Sequence, residues 1–277
     1  MNILVLRSYG DYVIMLNSLR NTTIKQPIHL IVSSHLQLLH DALKLDLPIN
    51  IHISFANFKI QNGILSFFTN KHFFSLGTIK ELISLKQYFK NKKNENYYVE
   101  HRQKSLLLQF FLGIKLKFIY HQNNVYNCFN NFFEVQPFTS QHKPFTLNSN
   151  STVIIFPDSR KRNKIIGSTT ISTLVMALDQ KGVQYKIAKF SSGIENKKGK
   201  LNEIGYSNFI DLVEIVKKAD FIISSDSLPV HIAELYHKPH WILYNHKINT
   251  NWLTPSSSSL NYYSTSEQTN LINIIFN

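Results

Sequence analysis

The sequence predicts an α/β fold made of two Rossmann-like domains facing a central cleft. Three observations carry this. Short apolar runs alternate with segments of helical period along residues 1–120. The alternation breaks over residues 121–150, which are rich in Asn, Ser and Pro, and then restarts. Late in the chain, the apolar run at 221–223 leads through Ser-Ser-Asp-Ser into a periodic segment with Pro229 in its first turn. Such alternation marks parallel sheets covered by helices, whose ligands bind beyond the C-terminal strand ends.

Residues 3–6 form a short apolar strand, and 11–20 read as a helix with Asp11 as a plausible N-cap. Residues 28–33 are the next strand and 35–43 a short helix. Ile49, Ile51, Ile53 and Phe55 alternate with polar residues, as a half-buried strand does. Ile79, Leu82, Ile83 and Phe89 place a helix over 78–90; 97–99 and 116–120 read as strands around a helix over 104–112. Residues 121–150 read as a connection between domains. Beyond it, 152–156, 183–188, 221–224 and 240–244 read as strands. Helices are expected over 168–180, over 208–218 behind a capping Asn208, over 229–236, and over the tail 266–276.

With 277 residues the chain has room for two medium domains, and its 43% hydrophobic and 17% charged residues suit a folded protein. Cys128 is the sole cysteine, so no intrachain disulfide can form, which fits a reducing compartment. The apolar run at 3–6 is too short for a signal peptide, and no stretch approaches the roughly 18 apolar residues of a transmembrane helix. The expected location is cytoplasmic. The formal charge of +13, from 30 basic and 17 acidic residues, implies attraction to polyanions (nucleic acid, anionic lipid headgroups or a phosphorylated substrate), with a solvated basic surface as the alternative. The basic runs at 90–93, 160–164 and 197–200 lie in separate loops without interleaved aromatics, so no nucleic-acid module is expected.

The stretch FIISSDSLPVHIAELYHKP, residues 221–239, concentrates the chemistry. A strand entering a helix presents backbone N–H groups and a positive dipole end, which together favour an anion. Ser227 adds a hydroxyl, His231 falls in the first turn, and Asp226 sits at the strand's exit. The alternative is that Asp226 or Ser227 caps the helix and His231 packs against the next strand. His231, His237 and His240 are too loosely spaced for a metal site.

DSLPVHIA resembles the D-(S/T)-G-P-x-H-x-A stretch of the ADP-heptose:lipopolysaccharide heptosyltransferase family, glycosyltransferase family 9. The resemblance extends in the family's order through ILVLRSYGDYVIMLNSLR, RQKSLLLQFFLGIKLKFIY, FPDSRKRNKIIGSTTISTLVMALDQKG, NFIDLVEIVKKADFIIS and ELYHKPHWILY. It implies a GT-B fold, with residues 1–148 binding the acceptor and 149–277 the nucleotide-sugar. The last helix would pack back on the first domain.

The resemblance assigns Asp11, after Gly10 in a Gly-Asp turn on the acceptor side, to the general-base position. A helix N-cap is its bland alternative. Ser159 and Lys164 match positions near the donor diphosphate, with Lys161 a rival for the lysine. Asp226, Ser227 and His231 match the donor-binding motif, and Glu195 is a candidate ribose contact. Leu228 stands where the family has glycine, which matters if the turn needs positive φ. Asn17 and the segment KIIG at 164–167 also depart from the pattern.

The implied activity is inverting transfer of a sugar, heptose or another, from a nucleotide-diphosphate donor that the family would have ADP-linked. The acceptor would be an anionic lipopolysaccharide- or lipooligosaccharide-type glycolipid, and no metal or other cofactor is expected. Peripheral contact with the cytoplasmic face of the inner membrane would use the basic charge and the aromatic-rich 64–76 region, for which core packing is the alternative. A silent paralogue that binds without transfer, and a transferase using a UDP- or GDP-sugar, are the competing readings.

Overall fold

The computed structural model describes residues 1–6, 9–56, 76–92, 95–99, 109, 112–119, 124–136, 150–159, 162–191, 202–244, 250–256 and 262–264. The chain divides into two compact units, Met1–Pro137 and Phe138–Asn277. The expected boundary at 148/149 falls outside the described residues.

In the first unit the order is β1 (Asn2–Val5), α1 (Tyr9–Arg20), β2 (Ile28–Ser33), a 3-10 turn at Ser34–Leu36, α2 (Gln37–Leu43) and β3 (Ile51–Ala56). Then follow α3 (Leu76–Phe89), β4 (Asn96–Val99), β5 (Lys115–Phe118) and α4 (Val125–Phe132). The sheet runs β3-β2-β1-β4-β5, every neighbouring pair parallel. Leu4 lies central, opposite Ile31 on one side and Val99 on the other. One core joins Leu4, Ile31, Val99 and Leu116 to Leu85 and Phe89 of α3. Phe89 meets Tyr97 edge-on at 5.0 Å between ring centroids.

Two expectations are corrected here. Ile49 is 95% exposed and precedes the strand, which begins at Ile51. Residues 121–150 are not a plain connection, because Val125–Phe132 is helical. Asn124 caps this helix by accepting from the Asn127 N–H at 3.2 Å, and Val125, Tyr126, Cys128 and Phe129 are buried. Its asparagines face outward or bond to α1: Asn130 Oδ1 accepts from Ser18 Oγ at 2.7 Å. Thr22 and Thr23 hydroxyls donate to the Phe133 and Glu134 carbonyls at 2.6 and 2.7 Å.

In the second unit the order is β6 (Thr152–Phe156), a 3-10 turn at Arg162–Lys164, α5 (Ser168–Gln180), β7 (Gln184–Phe190) and β8 (Glu203–Tyr206). Then follow α6 (Phe209–Lys218), β9 (Phe221–Ser225), α7 (Leu228–Leu235), β10 (His240–Tyr244), a 3-10 turn at Thr250–Trp252 and β11 (Tyr262–Ser264). The parallel sheet runs β11-β10-β9-β6-β7-β8. Ile155 lies between Ile187 and Ile223. With Leu174 and Leu178 of α5, Ile155 and Ile223 form the core on one face. As expected, Asn208 caps α6, accepting from the Asp211 N–H at 2.9 Å. Strands β8 and β11 had no sequence signal strong enough to predict them.

Candidate functional site

Both sheets reverse strand order at their middle. In the second unit the reversal lies between β6 and β9, whose successors α5 and β7 run one way and α7 and β10 the other. The loops leaving two such strands diverge and open a crevice at the C-terminal sheet edge, where α/β folds bind ligands. Here the loops are residues 157–159 after β6 and 226–227 after β9.

Those loops are tied together. Lys164 Nζ lies 2.5 Å from Asp226 Oδ2 and donates to the Asp226 carbonyl at 3.2 Å. The Asp226 side chain is 3% exposed and that of Lys164 27%, so the cation keeps an open side while the carboxylate is enclosed. Ser225 Oγ donates to the Asp158 carbonyl at 3.1 Å and lies 3.0 Å from Ser227 Oγ. The Ser227 hydroxyl in turn reaches the Ser225 carbonyl at 3.3 Å.

Ser227 is the N-cap residue of α7, with extended backbone and no side-chain capping bond. Ser227 thus takes the N-cap position that the capping alternative gave it, while its hydroxyl bonds to the Ser225 carbonyl rather than to a helix N–H. Leu228 opens the helix with Pro229 behind it. Positive φ among described non-glycine residues occurs at Lys44, Glu134 and His237, so the turn at Leu228 does not require a glycine conformation. His231 is 4% exposed. Burial holds its imidazole down to about 4, a drop opposed by the Asp226 charge and aided by Lys164 and His240. A neutral ring beside an ion pair is a hydrogen-bonding group rather than a charge.

In the first unit the order reverses between β1 and β4. Helix α1 already begins at Tyr9, so Gly10 and Asp11 are its second and third residues. This corrects both the N-cap reading of Asp11 and the placing of the Gly10–Asp11 pair in a turn before the helix. Asp11 is 5% exposed in the helix's first turn. A carboxylate there is favoured by the dipole. Nearby on the same helix, Tyr9 meets His35 edge-on at 5.6 Å, and His35 Nδ1 is 2.8 Å from Ser33 Oγ. Tyr12 OH lies 2.9 Å from His40 Nδ1. Burial raises the Tyr12 phenol and lowers the His40 imidazole.

Of the other expected residues, Ser159 is half-buried three positions past β6. Lys161, Glu195 and the tail helix over 266–276 lie outside the described residues, as does the aromatic segment up to residue 75. Among the described residues, no group of three or more His, Cys, Asp or Glu is placed to hold a metal ion. His240 is engaged otherwise: its Nδ1–H donates to the Lys238 carbonyl at 2.8 Å and its Nε2 is 2.7 Å from Thr254 Oγ1. Behind it, buried Glu234 accepts from the Ser256 N–H at 3.3 Å and from the Ser256 hydroxyl. No helix among the described residues is long and apolar enough to cross a membrane.

Sequence reasoning overlooked Ser225 and Asp158. Ser225 sits inside the stretch that drew attention, and its signal was the unusual run of hydroxyl residues 224, 225 and 227 at a strand's buried exit. Asp158 contributes a carbonyl, which no side-chain pattern announces.

The sequence matches no protein-family model and no curated protein sequence. E. coli heptosyltransferase WaaC with ADP superposes with a TM-score of 0.59 at 12% identity, over 99% of this chain and 98% of that one. The E. coli ADP-heptose lps heptosyltransferase II gives 0.60 at 13%, over 99% and 97%. The glycosyl transferase family 9 structure from Veillonella parvula gives 0.61 at 13%, over 98% and 87%. At this identity the likeness is one of fold. The chain has the GT-B type architecture of these transferases.

Proposed function

We propose that this chain is a glycosyltransferase of the heptosyltransferase kind. It moves a sugar from a nucleoside diphosphate donor to a lipopolysaccharide-type acceptor, with inversion at the anomeric carbon. The observation that carries the reading is Lys164, held by Asp226 with one side open, at the strand-order reversal and beside the start of α7. The neighbours in fold include one with ADP and one described as an ADP-heptose lps heptosyltransferase, which supports an ADP-linked donor.

In this reading the second unit, with Ser159, holds the donor and the first holds the acceptor. The Asp11 carboxylate accepts the proton of the acceptor hydroxyl as its oxygen bonds to the anomeric carbon. The bond from that carbon to the diphosphate oxygen breaks on the opposite face. Charge developing on the departing diphosphate meets Lys164 and the positive end of α7. Ser227 and neutral His231 supply hydrogen bonds there, and Asp226 keeps the lysine in place between turnovers. A single base and no covalent intermediate give inversion. The +13 charge suits an anionic, membrane-anchored acceptor reached from the cytoplasmic face.

The test is calorimetric binding of ADP, UDP and GDP to the wild type and to Lys164→Ala. Turnover of ADP-heptose by the wild type and by Asp11→Asn follows. Nucleotide binding lost in Lys164→Ala, with turnover lost in Asp11→Asn, is the expected pair of results. Binding without any turnover identifies a silent paralogue, and absence of nucleotide binding overturns the reading.

A further inference from the structure

Three adjacent strands of the second unit end on an aromatic residue: β6 on Phe156, β7 on Phe190 and β8 on Tyr206. Phe190 and Tyr206 are register partners, with ring centroids 5.7 Å apart at 65°. Tyr206 also meets Phe156 edge-on, at 6.1 Å and 64°. The series runs outward from the core, since Phe156 is 1% exposed, Tyr206 is half-buried and Phe190 is 58% exposed. Ile210, in the first turn of α6, is exposed as well. Phe190 is thus a large ring braced edge-on from behind by Tyr206 and open to water on its outer side, at the C-terminal end of the sheet.

The aromatic series is linked to the ion pair already described through the loop after β6. Asp158 follows Phe156 by two residues, and its carbonyl accepts from Ser225, whose neighbour Asp226 holds Lys164. Tyr206 faces the same loop: burial first, and then the Asp158 charge, lift its phenol above the usual range. Lys164 follows β6 and the rings end β7 and β8, so cation and rings belong to the same C-terminal end of one parallel sheet.

We infer that Phe190, backed edge-on by Tyr206, is the platform on which the nucleobase of a nucleoside diphosphate stacks while its phosphates meet Lys164. This rests on the reading of the site as a nucleotide-donor site. Stacking engages the face of a base and ignores its hydrogen-bonding edge. The platform therefore grades bases by ring area, purine over pyrimidine, and discriminates weakly between adenine and guanine.

The experiment is calorimetry of ADP, UDP and inorganic pyrophosphate on the full chain, as wild type, Phe190→Ala and Phe190→Trp. The exposed position of Phe190 lets the fold tolerate both changes, which circular dichroism checks. Expected is a loss of about tenfold or more in ADP affinity for Phe190→Ala, a smaller loss for UDP, unchanged pyrophosphate affinity, and ADP binding retained by Phe190→Trp. Unchanged ADP affinity in Phe190→Ala overturns the proposal. So does a parallel fall for ADP and pyrophosphate, which marks Phe190 as a support of the fold. If wild type binds neither ADP nor pyrophosphate, the donor-site reading itself fails and this one with it.

Discussion

Lys164 and Asp226, 62 residues apart in sequence, meet at 2.5 Å where two neighbouring strands send their loops apart. The pair is lopsided, with the carboxylate enclosed and the ammonium partly open. An enclosed anion has no solvent to fall back on, whereas the cation does.

Lys164→Met therefore costs more stability than Asp226→Asn. We expect about 2–3 kcal/mol for the first, below the full value for a wholly buried pair because the lysine is partly exposed, and under about 1 kcal/mol for the second. Equilibrium urea denaturation of the two variants measures the order. Equal losses would show that the carboxylate reaches water.

Nucleotide affinity follows the other partner. On the proposed donor site, Lys164→Ala removes a charged hydrogen-bond donor to the diphosphate, worth roughly tenfold to a hundredfold in ADP affinity. Calorimetry reads it directly, and an unchanged affinity would move the phosphates elsewhere.

Asp11→Asn keeps the size and burial of the side chain but removes the carboxylate that the proposed mechanism uses as base. Turnover is expected to fall by about 100- to 10,000-fold with ADP binding unaltered. A kinetic comparison at saturating donor decides it, and near-normal turnover would remove Asp11 from the chemistry.

His231 predicts an acid limb. Its folded pKa, about 4, lies below the ordinary value of 6.5. The stability gained by keeping the ring neutral is complete above about 6.5, drains as pH falls towards 4, and levels off below. At 1.36 kcal/mol per pH unit the total is on the order of 3 kcal/mol. Comparing denaturation of wild type and His231→Gln between pH 7 and 4 isolates this share, and parallel curves would count against it.

Phe129→Ala tests the helix that the sequence concealed. Phe129 is fully buried, so its truncation is expected to destabilise by about 3–5 kcal/mol. A linker residue would cost almost nothing, and thermal unfolding separates the two outcomes.

The strands around Leu4, Ile31, Ile155 and Ile223 were legible because strands buried on both faces read as unbroken apolar runs. The helix at Val125–Phe132 was not. Its asparagines suggested a loop, while the cap at Asn124 and the tertiary bonds of Asn130 depend on neighbours no local window contains. The place of Asp11 in its helix was misjudged: the helix starts two residues before it, and helix ends are the least determined feature of a periodic pattern. For the candidate site, residue types at 226, 227 and 231 were readable from the strand-to-helix passage. The bond from Lys164 to Asp226 was not, since it is made by the order of strands.

That order also governs how the chain comes to fold. Asn2 lies opposite Tyr97, and Val153 opposite Phe221, so the middle of each sheet waits for a strand made long after its partner. Closing such long loops precedes the contacts that reward it, which slows folding. Until Phe221–Ser225 leaves the ribosome, β6 keeps one bare edge. The loop that brings Asp226 to Lys164 is joined to that central strand, so the ion pair forms only once β9 has docked against β6.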